Sequence, residues 1–576
     1  MTNKSQIVVL KFGSSVLRSE KDLPSAVHEI YRHWRDGAQV IAVVSAFGDT
    51  TDHLMRRAES ICGQPDKVAL ATLLSTGEAT SSALLSLALN RVGIPARLLD
   101  EVQAGLRTVG GGVDAVPIAL DAARIKSESR RAVVVLPGYV GRGEGADKTL
   151  LGRGGSDLTA LFLAHHLRAH CVLIKDVDGL YTSDPSSSTK LPNRFAQASY
   201  ETAVRVGGAV VQQKAIRFAA ANKLRFAITS IGAQRETEVG PFADRLDALV
   251  SSRGPLRVAL LGCGTVGGGV YQRLAALPTL FDVVGVGTRT GTRARALGVP
   301  DDLNTDDLDE LLERDCDVVV ELIGNTKYAS ALATTALRSG RHFVTANKAL
   351  IAAQGDLLSA LAAACGGTLR YSAAVGGVLP ALEAIERARA SGGIKSFSGI
   401  LNGTTNYVLD RLAEGLDFQS AIDAAQEAGY AEANPRFDLN GTDAAQKLIL
   451  LARKAFDVSL PFDSIERTGI DQIDSQSLRR SRERGQTIRL LAECSRTGDV
   501  VEGTVKPVEL PLDHPLAQVS GAENRLIIKP ELGEQLVLSG TGAGRWPTTE
   551  ALMADLFDIR RQQSAEELEE LEACVA

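Results

Sequence analysis

At 576 residues the chain is too long for one hydrophobic core, and about two to four domains are expected. Its 44% apolar and 23% charged content is that of a globular protein, and a formal net charge of −6 argues against sequence-independent binding to nucleic acid, which needs a basic surface. The opening "MTNKSQIVVLKF" has no signal-peptide pattern, and no uninterrupted apolar run approaches ~18 residues, so a membrane span is not expected.

Taken in chain order, the first half repeats one theme. Short β-branched runs end in Gly- or Ser-containing turns: "IVVLKFGSS" (7–15), "VIAVVSAFG" (40–48), "AVVVLPGYVG" (132–141) and "CVLIKDVDG" (171–179). Such runs read as buried parallel strands with helices between them, giving an α/β domain whose loops gather at the C-terminal strand ends. Lys11 closes the first strand, and "LLGRGGSD" (150–157) is a second glycine turn. Glycine turns present backbone N–H groups to phosphates, and a lysine there can neutralise a transferring phosphoryl; ordinary βα connection chemistry explains the turns equally well. No GxxxxGK[ST] motif is present.

The stretch 233–256 is charged, with Gly and Pro at both ends, and reads as a linker with at most one short helix. At Leu256 a new pattern begins. "LRVALLGCGTVGGGVYQRL" is a strand, a glycine turn (Gly262, Gly264, Thr265, Val266, Gly267) and a helix, as a dinucleotide site requires; a turn shaped only for packing is the plainer alternative. The following strand ends Gly287-Thr288-Arg289 with no acid for a ribose hydroxyl, and Arg289 suits a 2′-phosphate, which predicts NADP(H) in preference to NAD(H). Strands "CDVVVELIG" and "HFVTANKAL" follow, the latter ending at Lys348, which can face a nicotinamide and support a developing alkoxide.

In "GYAEANPRFDLNGTDAAQKL" (429–448), Asn440 or Thr442 can cap a helix that puts Asp443 and Lys447 on one face. An exposed pair of this kind contributes about 0.2–0.5 kcal/mol. The apolar "LILLA" that follows predicts instead a helix buried round most of its circumference, where a lysine needs a partner and can be tuned as a proton donor. Glu432 and Asp438 precede it and can hold an ammonium group. The last residues, "QQSAEELEELEACVA", read as an acidic solvated helix or frayed end. The seven cysteines are scattered singly, without a CxxC pair, which fits a reducing, cytoplasmic setting.

Together "SGILNGTTNYVL" (398–409), 429–448, "TANKAL", "HPLA" (514–517) and "GTGAG" (540–544) resemble the homoserine dehydrogenase family over about residues 256–560. The resemblance implies NAD(P)H-dependent reduction of aspartate 4-semialdehyde to homoserine. Lys447 and Lys348 would stand at the carbonyl, with Asp443 organising the lysine. Glu432 and Asp438 would contact substrate, and Gly429 and Gly542 would approach the cofactor. A Na+ or K+ site is implied on backbone oxygens in "YSAAVGGVLP" (371–380), at Val375, Gly377 and Leu379, although Ser372 stands where the family usually has Glu, and Asn434 replaces a usual Asp.

The first half, through "VVLKFG", "STGEATSSAL" (75–84), "TLLGRGGSDLTA" (149–160) and "DVDGLYTSDP" (176–185), is similar to aspartate kinases of the amino-acid-kinase family. This implies phosphorylation of aspartate by ATP with Mg2+. Lys11 would stabilise the phosphoryl, Glu78 would hold the substrate ammonium and Arg153 its carboxylate. Ser156 and Asp157 would order the site, and 176–185 would line the nucleotide pocket. Departures are the shortened "KFGSSV", Asp49 for a common glycine, Ala209 for a usual lysine, and Gln212-Gln213 for His-Pro.

The expected fold class is therefore α/β, with one α+β domain. An amino-acid-kinase-like α/β/α domain (1–232) and a linker (233–256) precede a Rossmann domain (257–389). An α+β catalytic and dimerisation domain (390–530) follows, then a segment returning to the Rossmann domain with a tail (531–576). The linker is too short for the ACT regulatory domains usual in fused enzymes of threonine and methionine biosynthesis. The resemblance implies a homodimer or higher homo-oligomer acting on aspartate, its semialdehyde and homoserine. The rival reading is a homoserine dehydrogenase whose kinase-like half is only a structural or dimerising module.

Overall fold

A computed structural model describes residues 6–575 apart from 146, 186–191, 209 and 248–253, with side chains described to 563. Two compact units appear, Met1–Ser252 with Leu568–Ala576, and Arg253–Glu567.

In the first unit, five strands form the parallel centre of a nine-stranded sheet: β1 (Ile7–Phe12), β2 (Gln39–Val44), β3 (Val133–Pro137), β4 (His170–Lys175) and β5 (Phe226–Ser230). Their order is β5-β4-β1-β2-β3. These β-branched runs are buried on both faces because helices cover the sheet. Helix α1 (Leu23–Arg35) starts with proline in its first turn, where the missing N–H costs nothing. Helix α2 (Lys67–Arg91) carries Glu78, and α3 (Gly155–Leu167) follows the left-handed Gly154 (φ 77°) and carries Asp157 in its first turn. Both helices bring polar side chains to the C-terminal strand ends, as parallel topology requires. The expected linker at 233–256 is instead partly strand. Thr237–Gly240 pairs with β5, and Arg245–Leu246 with Phe195–Ser199, so backbone hydrogen bonding extends the sheet into the first part of that charged stretch.

The second unit opens with β6 (Leu256–Leu261), β7 (Phe281–Gly287), β8 (Val318–Glu321) and β9 (His342–Thr345), the middle of a six-stranded parallel sheet in the order β7-β6-β8-β9. Helix α4 (Thr265–Ala275) follows β6, and α5 (Lys348–Cys365) follows β9. A second, mainly antiparallel sheet contains β10 (Ile394–Ile400), β11 (Gln486–Thr497), β12 (Val500–Pro511), β13 (Glu523–Pro530) and β14 (Leu536–Thr541), ordered β12-β11-β10-β13-β14. Helices α6 (Gly403–Ala413) and α7 (Thr442–Phe456) pack on it. Leu448, Ile449, Leu451 and Ala452 of α7 join Phe397, Leu490 and Leu526 in one core, each large apolar side chain contributing about 1.5–3 kcal/mol on burial.

Residues 531–541 do not return to the dinucleotide domain as expected, because β14 is the edge strand of the catalytic sheet. The return begins with α8 (Arg545–Val575), whose Leu552, Leu556 and Phe557 enter the Rossmann core; Phe557 meets Phe281 edge-on at 4.9 Å. Among the described residues two helices, α2 and α5, are long and apolar enough to cross a membrane by length and composition, and both bury residues such as Leu74 and Leu85 of α2 and Leu350 and Leu358 of α5 within their own units. Neither contains an uninterrupted apolar run of spanning length: α2 interleaves Gly, Ser and Thr with its apolar residues, and α5 carries Gln, Gly, Asp and Ser. Among the described cysteines, Cys171, Cys263, Cys316 and Cys494 are buried and none is in a disulfide.

Candidate active sites

Helix α7 starts from Gly441 in the left-handed region (φ 78°), and the Asn440 side chain accepts the Thr442 N–H at 3.0 Å. One turn on, the Lys447 ammonium lies 3.0 Å from the Asp443 carboxylate and donates to the Leu401 carbonyl at 2.7 Å. Both side chains are buried, so the exposed-pair alternative does not apply. Lys348, at the first turn of α5, reaches the other Asp443 oxygen at 2.7 Å. The Asn402 amide uses its two hydrogens on Asp443 (2.8 Å) and Asp438 (2.7 Å), while its oxygen caps α6 by accepting the Thr405 N–H.

These contacts set the local electrostatics. Burial pushes the Asp443 carboxyl up, but Lys447, Lys348 and their hydrogen bonds overcome it and hold the group well below the usual carboxylate range. Burial and the neighbouring Asp443 charge raise Asp438. Lys348 is partly desolvated, which lowers its pKa, yet Asp443, Asp438 and Glu432 together raise it. Glu432 itself is exposed, as is Gly429. The five charged residues singled out in the sequence therefore act on one another.

Asn402, Asn524 and Glu321 also support the site and were not identified from sequence. Asn402 had a signal, an Asn before a helix-starting "GTTN". Asn524 had none: fully buried in β13, it donates to the Leu401 carbonyl at 3.0 Å, the oxygen that also receives Lys447. A Cβ on Gly542 would collide with the Asn524 amide, so this glycine is required by that contact. Glu321, at the end of β8, accepts from the Ile323 and Gly324 N–H groups and from Thr345, tying down the turn that leads to Lys348.

In the glycine turn, Gly262 has φ 105°, and a Cβ on Gly267 would run into the Gly262 carbonyl. A Cβ on Gly264 would meet nothing within 4 Å, which leaves the loop accessible beside the N-terminus of α4. The glycine pattern therefore fits a pyrophosphate. Val266 is half-buried against the Rossmann core. Thr288 is held by Asn304, Arg289 is exposed, and Arg293 donates to Thr265 at 3.3 Å.

Val375, Gly377 and Leu379 are buried. The Leu379 carbonyl already accepts from the Ala381 N–H at 2.7 Å, and Ser372 is tied to Asp555 and Glu383 at 2.9 and 3.0 Å. Among the described residues no group of three His, Cys, Asp or Glu side chains could hold a metal.

In the first unit, Lys11 lies 2.7 Å from Asp157, and Lys175 contacts both Asp157 oxygens at 3.0 and 2.9 Å. All three are buried. Burial acts to raise Asp157, but the two ammoniums hold it at about 2; Lys175 falls to about 8 through burial and repulsion from Lys11. Glu78 is buried with one oxygen 3.4 Å from the Ala46 N–H and the other without a partner. Burial pushes its carboxyl up to about 7. Ser156 is buried beside Gly138, whereas Arg153 and Asp49 are exposed. Asp178 fixes the turn after β4 by accepting from Tyr181 at 2.6 Å. Gln212 packs so closely on Gly154 that a Cβ there would clash, and Ala209 lies outside the described residues. Lys175 ends the run "CVLIK", where the strand pattern alone gives no sign that it joins the site.

Residues 380–557 match the homoserine dehydrogenase family, 262–372 the NAD-binding domain of homoserine dehydrogenase, and 6–231 the amino acid kinase family. Over 321 residues the chain is 35% identical to a homoserine dehydrogenase of Neisseria gonorrhoeae, covering 54% of this chain and 74% of that one. It is 37% identical over 324 residues to one of Mycobacterium tuberculosis, covering 54% and 73%. A crystal structure of a homoserine dehydrogenase from Thiobacillus denitrificans matches with a TM-score of 0.51 and 35% identity, over 54% of this chain and 74% of that one. A lysine–carboxylate–lysine group, with Asp443 and Lys447 buried and Lys348 half-exposed, in the same unit as a glycine-turn nucleotide fold is thus accompanied by sequence and fold likeness over the same residues, and the chain belongs to the homoserine dehydrogenase family, fused to an N-terminal domain of the amino acid kinase family.

Proposed function

We propose that the second unit reduces L-aspartate 4-semialdehyde to L-homoserine with NADPH and that the first phosphorylates L-aspartate from MgATP, two steps of threonine and methionine biosynthesis in the cytoplasm. The observation that carries the dehydrogenase reading is Asp443 bracketed by Lys447 and Lys348. An ammonium has three donors, and Leu401 and Asp443 use two of those on Lys447; the third is left for a substrate oxygen.

Reduced nicotinamide supplies the hydride when bound. The carbonyl oxygen gains negative charge as hydride arrives, and Lys447 meets it with a fixed positive charge and a proton. Asp443 keeps Lys447 oriented. Glu432 and Asp438 receive the substrate ammonium. Gly262, Gly264, Thr265 and Gly267 form the pyrophosphate turn, Gly429 and Gly542 border the cofactor, and Arg289 faces the 2′-phosphate. A Na+ or K+ ion would rest on the carbonyls of Val375, Gly377 and Leu379, with the Ser372 hydroxyl committed to Asp555 and Glu383.

In the kinase unit, Lys11 neutralises charge on the transferring phosphoryl, with Asp157 and Ser156 ordering the loop. Glu78 takes the aspartate ammonium on its unpartnered oxygen, and Arg153 takes the α-carboxylate. Both units act in a homodimer. The test is one preparation assayed twice: NADPH oxidation with aspartate semialdehyde, and ATP-dependent aspartyl hydroxamate formation with Lys11→Ala as control. Semialdehyde reduction without hydroxamate above that control would leave the first unit a structural module.

A further inference from the structure

Strand geometry puts two lysines on one face of the kinase sheet. Lys11 in β1 lies opposite Leu173 in β4, and Lys175 is two residues beyond Leu173, so the period of two aims both side chains to the same side. There the first turn of α3 presents Asp157, and both ammoniums converge on one of its oxygens, at 2.7 and 3.0 Å. The lysine side chains are 7–8% exposed and Asp157 is 4% exposed.

One carboxylate does not neutralise two ammoniums. Two further carboxylates act on the pair: Asp176, exposed and beside Lys175, and Glu78, which acts on Lys11 and whose carboxyl burial raises to about 7. The buried cluster therefore holds an excess positive charge beside the glycine turns. Buried excess charge is costly unless an anion arrives to match it. The lysine expected at 209 from the family resemblance is alanine here.

We propose that Lys175 is a second phosphoryl-binding cation of the kinase site, working opposite Lys11 across Asp157. The inference rests on the kinase reading. In the step it serves, a side-chain carboxylate oxygen of aspartate bonds to the γ-phosphorus of ATP. The bond from that phosphorus to the β,γ-bridging oxygen breaks, and ADP leaves with the electron pair. Lys11 and Lys175 each hold a non-bridging oxygen, so charge spread over the phosphoryl meets two fixed cations.

The experiment measures hydroxamate formation by full-length Lys175→Met and Lys175→Arg, with semialdehyde reduction by the same chain as a control for intact protein. Lys175→Met should lower kcat about 100-fold or more while KM for aspartate moves less than about threefold. Lys175→Arg should restore at least about tenfold of that loss, because it returns the charge; a merely structural ion pair would not produce this split. Turnover by Lys175→Met within about threefold of wild type, or equal turnover by both variants, would overturn the proposal. A wild-type chain that reduces semialdehyde but forms no hydroxamate would overturn the kinase reading itself, and the inference with it.

Discussion

The Asp443 carboxylate stands 3.0 Å from the Lys447 ammonium, one turn away on the same helix, and both are buried. The pair is completed from outside the helix, by Lys348, Asn402 and the Leu401 carbonyl. Removing Lys447 leaves Asp443 paired, so the fold tolerates the loss while the substrate oxygen loses its cation. Lys447→Ala is expected to lower kcat for semialdehyde reduction by about 100- to 1000-fold with NADPH affinity changed less than about twofold. Steady-state kinetics and a fluorescence titration with NADPH check this; an unchanged kcat would remove Lys447 from the chemistry.

In the proposed kinase site, Glu78 is expected to set the pH dependence. Its buried carboxyl is raised to about 7, with burial opposed by the Ala46 N–H and Lys11. It must be ionised to receive the aspartate ammonium, so binding is weak below that value and strengthens as pH rises through it. The expected kcat/KM for aspartate climbs about tenfold per pH unit below pH 7 and levels above it. In Glu78→Gln that limb should disappear and kcat/KM should fall by about tenfold or more, read from hydroxamate formation across the pH range.

Gly542 tests the structural support behind Lys447. An added Cβ would strike the buried Asn524 amide, which shares the Leu401 carbonyl with Lys447. Gly542→Ala should destabilise the dehydrogenase unit by about 1–3 kcal/mol, through overpacking and loss of that hydrogen bond. A lowered urea midpoint for semialdehyde reduction, together with a reduced kcat, is the expected result. Wild-type values for both would show that the contact has no such role.

Cofactor choice should follow the arginines after β7. Arg289 is exposed at the strand end, and Arg293 donates to Thr265 in the glycine turn. Arg289→Ala is expected to reduce the NADPH-to-NADH ratio of kcat/KM by about tenfold, mainly through a weaker grip on NADPH, since one charge-assisted contact with the 2′-phosphate is lost. Paired kinetics with the two cofactors measure it, and a ratio unchanged by the substitution would place the discrimination elsewhere.

Local patterns made much of this molecule legible. Runs such as "VVVLP" and "LRVALL" are buried strands because β-branched side chains suit a covered pleat, and Asp443 and Lys447 share a face because a helix repeats every 3.6 residues. The charged stretch at 233–256 has the composition of a linker and holds the boundary between the two units, yet within it Thr237–Gly240 and Arg245–Leu246 pair as strands with β5 and Phe195–Ser199. Residues 531–541 likewise joined the catalytic sheet through hydrogen bonds that no side-chain pattern records.

Sequence by itself determined the glycine turns at the strand ends, the helix that carries Lys447 and the division into two enzyme-like halves, since each depends on spacing within a short segment. Tertiary structure alone decided what surrounds them. Asn524 reaches the Leu401 carbonyl from 123 positions away and Lys175 reaches Asp157 from a neighbouring strand. Such contacts depend on which elements lie side by side in space, and that juxtaposition leaves no periodic trace along the chain.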